Sequence, residues 1–227
     1  IHLEVGEPDF PTSSSVIDRA CSALQSGKTR YTDARGIQPL RDALSAWYRS
    51  QGLDVPAQRI QITVGASAGL LLACAATTNP GDTVLMADPA YPCNPRFVEA
   101  VGGKVHWIKT DIASQFQPTC NALEIEATVA DRTLMLAHPA NPTGQAVPSA
   151  ELERMIQWCL TTNRHLIVDE IYQSLSFNDA LDSSLAISDQ HFVVGSFSKY
   201  FNMTGWRLGW LVIPEYALEP TQRLAQH

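Results

Sequence analysis

The chain has 227 residues, 45% of them hydrophobic and 17% charged, enough to bury roughly 70% of its unfolded surface as one large domain or two small ones without a disulfide or metal staple. Sixteen Lys and Arg against 23 Asp and Glu leave a net charge of -7, the wrong sign for a protein whose affinity comes from neutralising a phosphate backbone, so no nucleic-acid partner is expected. The most apolar stretch, Leu70 to Ala76, is far shorter than the roughly 20 residues that span a bilayer, and no membrane association is expected.

In chain order, Pro11-Thr12-Ser13 opens a predicted helix over 14–26, and Asp33-Ala34-Arg35-Gly36 opens another over 37–51. Short β-branched runs then predict strands at 59–64, 83–87, 104–108, 132–137, 165–169, 192–196 and 208–213. Helices are predicted between them near 67–78, 92–101, 121–129 and 149–163. That alternation predicts an α/β fold, a mainly parallel seven-stranded sheet flanked by helices. Only about a dozen residues join Ser196 to Leu208, and they include Asn202, Gly205 and Trp206 rather than an apolar helical stripe. A parallel crossover barely fits there, so the last strand is predicted to run antiparallel to its neighbours; the alternative is a separate edge strand. The five cysteines, Cys21, Cys74, Cys93, Cys120 and Cys159, are scattered and odd in number. They read as free thiols in a reducing compartment, hence a cytoplasmic protein. The chain begins at Ile1 without a Met and stops in a helical pattern at His227, which reads as a fragment.

Ligands of open parallel sheets lie at the carboxyl ends of the strands. After the first strand comes Gly65-Ala66-Ser67-Ala68-Gly69, whose small residues at a helix start suit a phosphate, although such a turn is also an ordinary strand-to-helix join. Residues 132–137 lead into His138-Pro139-Ala140-Asn141-Pro142-Thr143-Gly144, a turn that presents the Asn141 amide. His138 itself reads either as a hydrogen-bonded structural histidine or as a ligand contact. Residues 165–169 end in Asp169-Glu170-Ile171-Tyr172; a carboxylate at a buried strand end needs a cationic partner. Ser196-Phe197-Ser198-Lys199 and then Arg207 follow the sixth strand. A lysine for a Schiff base, an acid facing a pyridinium nitrogen and anion binders are together what pyridoxal phosphate requires.

With Val5-Gly6-Glu7-Pro8-Asp9-Phe10, Tyr31, Gly36, Leu40-Arg41, Pro89-Ala90-Tyr91 and Thr204-Gly205-Trp206-Arg207-Leu208-Gly209, these motifs run along nearly the whole chain. In this order they resemble the large domain of the class I/II aminotransferases, fold type I pyridoxal phosphate enzymes. The resemblance implies an N-terminal segment over 1–35, a cofactor-binding large domain over 36–227, and no C-terminal small domain. It implies that Lys199 forms the Schiff base and shuttles the proton, that Asp169 pairs with the pyridinium nitrogen, and that Tyr172 and Asn141 hydrogen-bond the phenolic oxygen. Tyr91 stacks on the ring; Arg207, Ser196, Ser198, Ala66 and Ser67 hold the phosphate. Gly6 approaches the substrate carboxylate through its backbone, and Tyr31 reaches the phosphate of the partner subunit's site in a homodimer. Lys199, Asp169 and Tyr172 are the expected catalytic residues, an amino acid and a 2-oxo acid the expected substrates, and no metal is expected.

The family's carboxylate-gripping arginine belongs to the part not present here, so weak cofactor binding and poor transamination are expected. Two other functions use the same residues. One is a carbon-sulfur β-lyase or related pyridoxal phosphate enzyme; the other is the aminotransferase-like ligand-binding domain of a transcription regulator.

Overall fold

Short aliphatic and β-branched runs become strands because their side chains can be buried on both faces of a sheet. In the computed structural model, which describes residues 6–176 and 181–226, the strands are β1 (Ile60–Thr63), β2 (Thr83–Asp88), β3 (Lys104–Lys109), β4 (Asp131–Ala137), β5 (His165–Asp169), β6 (Phe192–Ser196) and β7 (Gly209–Val212). The helices are α1 (Ser14–Gln25), α2 (Gln38–Ser50), α3 (Gly65–Thr77), α4 (Asn94–Ala100), α5 (Cys120–Glu126), α6 (Ser149–Thr161) and α7 (Leu218–Ala225). Each predicted strand and helix is present. Helix α3 starts earlier than predicted, at Gly65, whose φ of +74° lets the chain leave β1 and enter the helix in a single residue. Helix α5 stops earlier, at Glu126, where Ala127 turns extended.

The strands form one sheet in the order β1-β7-β6-β5-β4-β2-β3. Strands β2, β3, β4, β5 and β6 pair in parallel. Strand β7 lies between β1 and β6 and is antiparallel to both, with Ile60 opposite Val212 and Ser196 opposite Gly209. The alternating pleat divides the core. Leu134, Leu136, Val168 and Val193 face the side covered by Leu44 and Tyr48 of α2 and by Leu152, Met155 and Ile156 of α6. Met135, Ile167, Phe192 and Val194 face Leu70, Ala73 and Cys74 of α3 and Val98 of α4. Val168, Ile167 and Phe192 are fully buried, and removing side chains of this kind costs about 2–5 kcal/mol each. Such a sheet fixes its own strand ends rigidly.

At the amino ends of the parallel strands, buried Asp131 accepts hydrogen bonds from Thr128 N (2.6 Å), Thr128 Oγ1 (2.9 Å), His106 Nδ1 (3.0 Å) and the Thr83 hydroxyl. Burial pushes its carboxyl up, but these bonds outweigh burial and hold it below the ordinary range. They tie the starts of β2, β3 and β4 together. Helix α1 has no buried residue, and Ile17 and Leu24 are exposed. None of the described helices is long and apolar enough to cross a membrane.

Candidate cofactor site

The opposite, carboxyl ends of β4, β5 and β6 and the start of α3 surround a cavity of about 470 Å³. Asp169 ends β5, the central strand, and is only 8% exposed. Its carboxylate accepts the Ile171 N–H at 3.1 Å, and among the described ion pairs none includes it. The cationic partner expected from the sequence is thus not supplied by a described side chain. Burial drives the Asp169 carboxyl up to about 6, the backbone hydrogen bond opposing and Glu170 adding to it.

Lys199 enters the same cavity from the loop between β6 and β7, half-buried, with Nζ donating to the Gly6 carbonyl. Burial lowers its pKa; the Glu7 charge opposes and the Arg207 charge adds. That loop is short because β7 returns antiparallel, and its neck closes where Phe197 N donates to Leu208 O at 3.1 Å. Arg207, at its far end, sits in the left-handed region at φ 53° and ψ 50°, which is uncommon for a residue with a side chain and costs of order 1–3 kcal/mol. The turn aims its guanidinium back across the start of α3. A Cβ on Gly65 would lie 3.0 Å from Arg207 Cζ, while Arg207 Nη1 donates to Thr204 O at 2.8 Å.

Ala66 and Ser67 lie at that helix start and line the cavity. Their N–H groups belong to the first turn, where no intrahelical acceptor exists, so helix and guanidinium together make an anion cradle. Ser196 and Ser198 are buried beside it; Ser196 Oγ accepts the Ser198 N–H at 3.0 Å and donates to Leu208 O at 3.4 Å. Across the cavity the Asn141 amide donates to the Tyr172 hydroxyl at 3.4 Å, and burial pushes the Tyr172 phenol up despite that bond. Tyr91 forms a partly exposed wall, its phenol pushed up by the Cys93 thiol and by burial.

The cavity therefore brings together every site residue named from the sequence except Tyr31, which is wholly exposed and lies outside it. Val5 of the N-terminal motif falls outside the described residues. The structure adds Glu7, Leu70, Ala137, Pro139, Ile171 and Thr204 to the lining. Glu7 and Thr204 join each other at 2.9 Å, and Thr204 was findable, since it lies between Lys199 and Arg207 in one loop. Residues 6–12 cross that loop: Thr12 Oγ1 donates to Asn202 O (2.6 Å) and accepts from Trp206 Nε1 (3.0 Å). His138 does not line the cavity. It is buried, with Nδ1 accepting the Val147 N–H at 3.0 Å and Nε2 facing Asp182 O at 3.3 Å, so the structural reading holds.

The cradle depends on a close approach of β7 to α3. A Cβ on Gly209 would lie 2.7 Å from the Gly65 carbonyl carbon and 2.8 Å from Ala66 N. Both are backbone atoms that cannot step aside. Gly209→Ala is expected to lower stability by about 1–3 kcal/mol and to weaken pyridoxal phosphate binding beyond that loss; urea unfolding and a cofactor titration measure the two.

Residues 1–227 match the family of class I and II aminotransferases. Among curated relatives, the valine–pyruvate aminotransferase of Mycobacterium tuberculosis is 41% identical over 218 residues, which cover 94% of this chain and 56% of that protein. The aspartate aminotransferase of Sulfolobus acidocaldarius is 34% identical over 99% of this chain and 58% of its own length. Among solved structures, the aspartate aminotransferase of Thermotoga maritima superposes with a TM-score of 0.95 at 32% identity, covering 100% of this chain and 62% of that one. An aminotransferase from Mycobacterium tuberculosis gives 0.93 at 38%, covering 97% and 58%. The chain spans 56% to 62% of the length of these relatives. The chain belongs to the class I and II aminotransferase family.

Proposed function

We propose that this chain is the cofactor-binding part of a pyridoxal phosphate-dependent aminotransferase, which moves an amino group from an amino acid to a 2-oxo acid. The observation that carries the reading is Asp169: a buried carboxylate lacking a cation among the described ion pairs, in one cavity with a lysine amine and an anion cradle. A ligand with a protonated ring nitrogen at one end and a phosphate at the other satisfies both ends at once. Bound pyridoxal phosphate supplies an aldehyde that condenses with amines and a ring that accepts the electron pair of a broken C–H bond.

The chain's residues do the rest. Asp169 holds the proton on the ring nitrogen, which restores its own counter-charge. Lys199 would be the amine that condenses with the aldehyde and the group that carries a proton at the substrate α-carbon; its lowered pKa favours the neutral, basic amine. Asn141 and Tyr172, neighbours across the cavity, would donate to the phenolic oxygen. Tyr91 packs on the ring face. Arg207, Ser196, Ser198 and the Ala66-Ser67 turn bind the phosphate by charge-assisted hydrogen bonds. Gly6, exposed and lining the cavity, would approach the substrate carboxylate through its backbone. In a homodimer, exposed Tyr31 reaches the phosphate in the partner subunit's site.

The test is borohydride reduction of the chain mixed with pyridoxal phosphate, followed by peptide mapping. Lys28, Lys104, Lys109 and Lys199 are the four lysines, so the result is unambiguous. A reduced adduct on Lys199 is expected. An adduct spread over the other three, or none, rejects the reading.

A further inference from the structure

We propose that His138 is a positioning residue for the cofactor: its imidazole ring fixes the turn that carries Asn141, and so sets the hydrogen bond from Asn141 to the cofactor's phenolic oxygen. The inference rests on the cofactor reading above.

Residues 138–147 form a loop off the end of β4 whose exposed arc carries Asn141. The loop is closed internally by Ala140 N to Gln145 O (2.9 Å) and Gly144 N to Ala140 O (2.7 Å). Two buried side chains anchor it. Gln117 Nε2 donates to Ala137 O (3.2 Å) and to Gln145 O (2.6 Å), fixing the loop against the end of its own strand. His138 does something different, because it joins three separate pieces of chain. Its backbone N–H donates to Asp169 O at 2.9 Å, Nδ1 accepts from Val147 N, and Nε2 reaches Asp182 O. The backbone bond references the start of the loop to Asp169, and the imidazole ties the loop's far end at Val147 to the segment at Asp182, so the ring holds the two ends of the turn that carries Asn141 in one position. Asn141 and Asp169 contact opposite parts of one flat ligand, so a common reference point is what their spacing requires.

The ring's protonation state follows from its partners. The Val147 N–H points at Nδ1, so Nδ1 carries no proton and Nε2–H is the donor to Asp182. A second proton would set two N–H groups against each other at Val147. Burial lowers the His138 pKa, opposed by the backbone bond and the charge of Asp182; Asp169 and Glu170 are the other titratable groups in the adjoining segments. The folded ring therefore stays neutral, with its contacts intact, until the pH falls through its lowered folded value, while the stability they contribute is full above the ordinary histidine value and declines below it.

The experiment is a pH titration of the cofactor absorbance band in the chain loaded with pyridoxal phosphate. A donor to the phenolic oxygen stabilises its anion, so Asn141→Ala is expected to raise the midpoint by about one pH unit. His138→Leu is expected to raise it by about half a unit or more. The double variant is expected to match Asn141→Ala alone, because His138 acts through that amide. His138→Asn, whose carboxamide oxygen takes the place of Nδ1, is expected to restore the wild-type midpoint. A wild-type midpoint in His138→Leu, or a His138 effect that persists without Asn141, overturns the inference and leaves His138 a stability residue only. If His138→Leu does not fold, His138→Asn and His138→Gln decide: only the first places its acceptor where Nδ1 stood, opposite Val147, and equal midpoints overturn the inference. No band and no adduct in the unmutated chain overturns the cofactor reading and this inference with it, whereas an adduct on Lys199 with unmoved midpoints overturns the inference alone.

Discussion

Lys199→Ala is expected to abolish the borohydride-trapped adduct while leaving pyridoxal phosphate able to bind through the anion cradle and Asp169. The substitution removes one amine from a half-buried position whose partner, the Gly6 carbonyl, lies at the exposed rim, so the fold is expected to survive with a stability change under about 1 kcal/mol. Chemistry fares differently. Loss of a positioned general base costs about two to four orders of magnitude, and here the same group is also the attacking amine. Single-turnover conversion of an added amino acid, followed by the cofactor spectrum, is expected to fall by at least about a thousandfold. Lys199→Arg separates charge from chemistry, since a guanidinium keeps the positive charge but does not condense at neutral pH. An arginine variant that still yields the adduct removes Lys199 from the role.

Asp169→Asn is expected to move stability and function in opposite directions. The unliganded chain holds a buried carboxyl whose pKa is pushed up to about 6 from an ordinary 3.8. A raised folded value means that folding favours the protonated form. The group's contribution is intact below the unfolded value and is lost as pH rises through the folded one, a penalty of roughly 3 kcal/mol above pH 6. The amide variant carries no such penalty. Its unfolding free energy is expected to exceed that of the parent by a margin that grows between about pH 4 and pH 6 and is then constant. With pyridoxal phosphate the order reverses, because only the carboxylate holds the ring-nitrogen proton, and proton abstraction from substrate is expected to slow by two orders of magnitude or more. Denaturation curves across pH, with and without cofactor, measure both halves. An identical pH profile in the two proteins rejects the ionised carboxylate as the site's central feature.

The parts of the fold legible in the sequence are those fixed by local chemistry. Strands β5 and β6 have the predicted bounds because continuous aliphatic runs end abruptly at Asp169 and Ser196. The antiparallel direction of β7 was legible from the shortness of the loop before it. Its position was not: insertion between β6 and β1 depends on pairing Ile60 with Val212, a contact between distant segments that no local pattern announces. The site divides in the same way. Asp169, Asn141 and Lys199 were found because each ends a strand or comes within four residues of its end, and Arg207 because it closes the short loop that carries Lys199. Glu7 and Ile171 were missed, the first because a carboxylate in an N-terminal segment looks like solvated surface until the chain crosses back over residue 204. The second is an apolar residue among polar neighbours. The expected cation for Asp169 was sought in the chain, whereas the geometry leaves that place to a ligand.

The insertion of β7 between β1 and β6 also dictates an order of events. Until β7 is in place, β1 has no neighbour in the sheet, and the start of α3, which follows β1 directly, has its packing on β5 and β6 but lacks the close contact with Gly209 that seats it beside Arg207. Contacts of such large sequence separation are slow to form, because loop entropy opposes them before they bring any gain. Residues 6–12 then close over a loop 190 or more positions away. The phosphate cradle is consequently a late product of folding. Partly folded chains are expected to carry Lys199 but no anion site, and phosphate binding followed during refolding is expected to appear only as the first and last strands of the sequence meet.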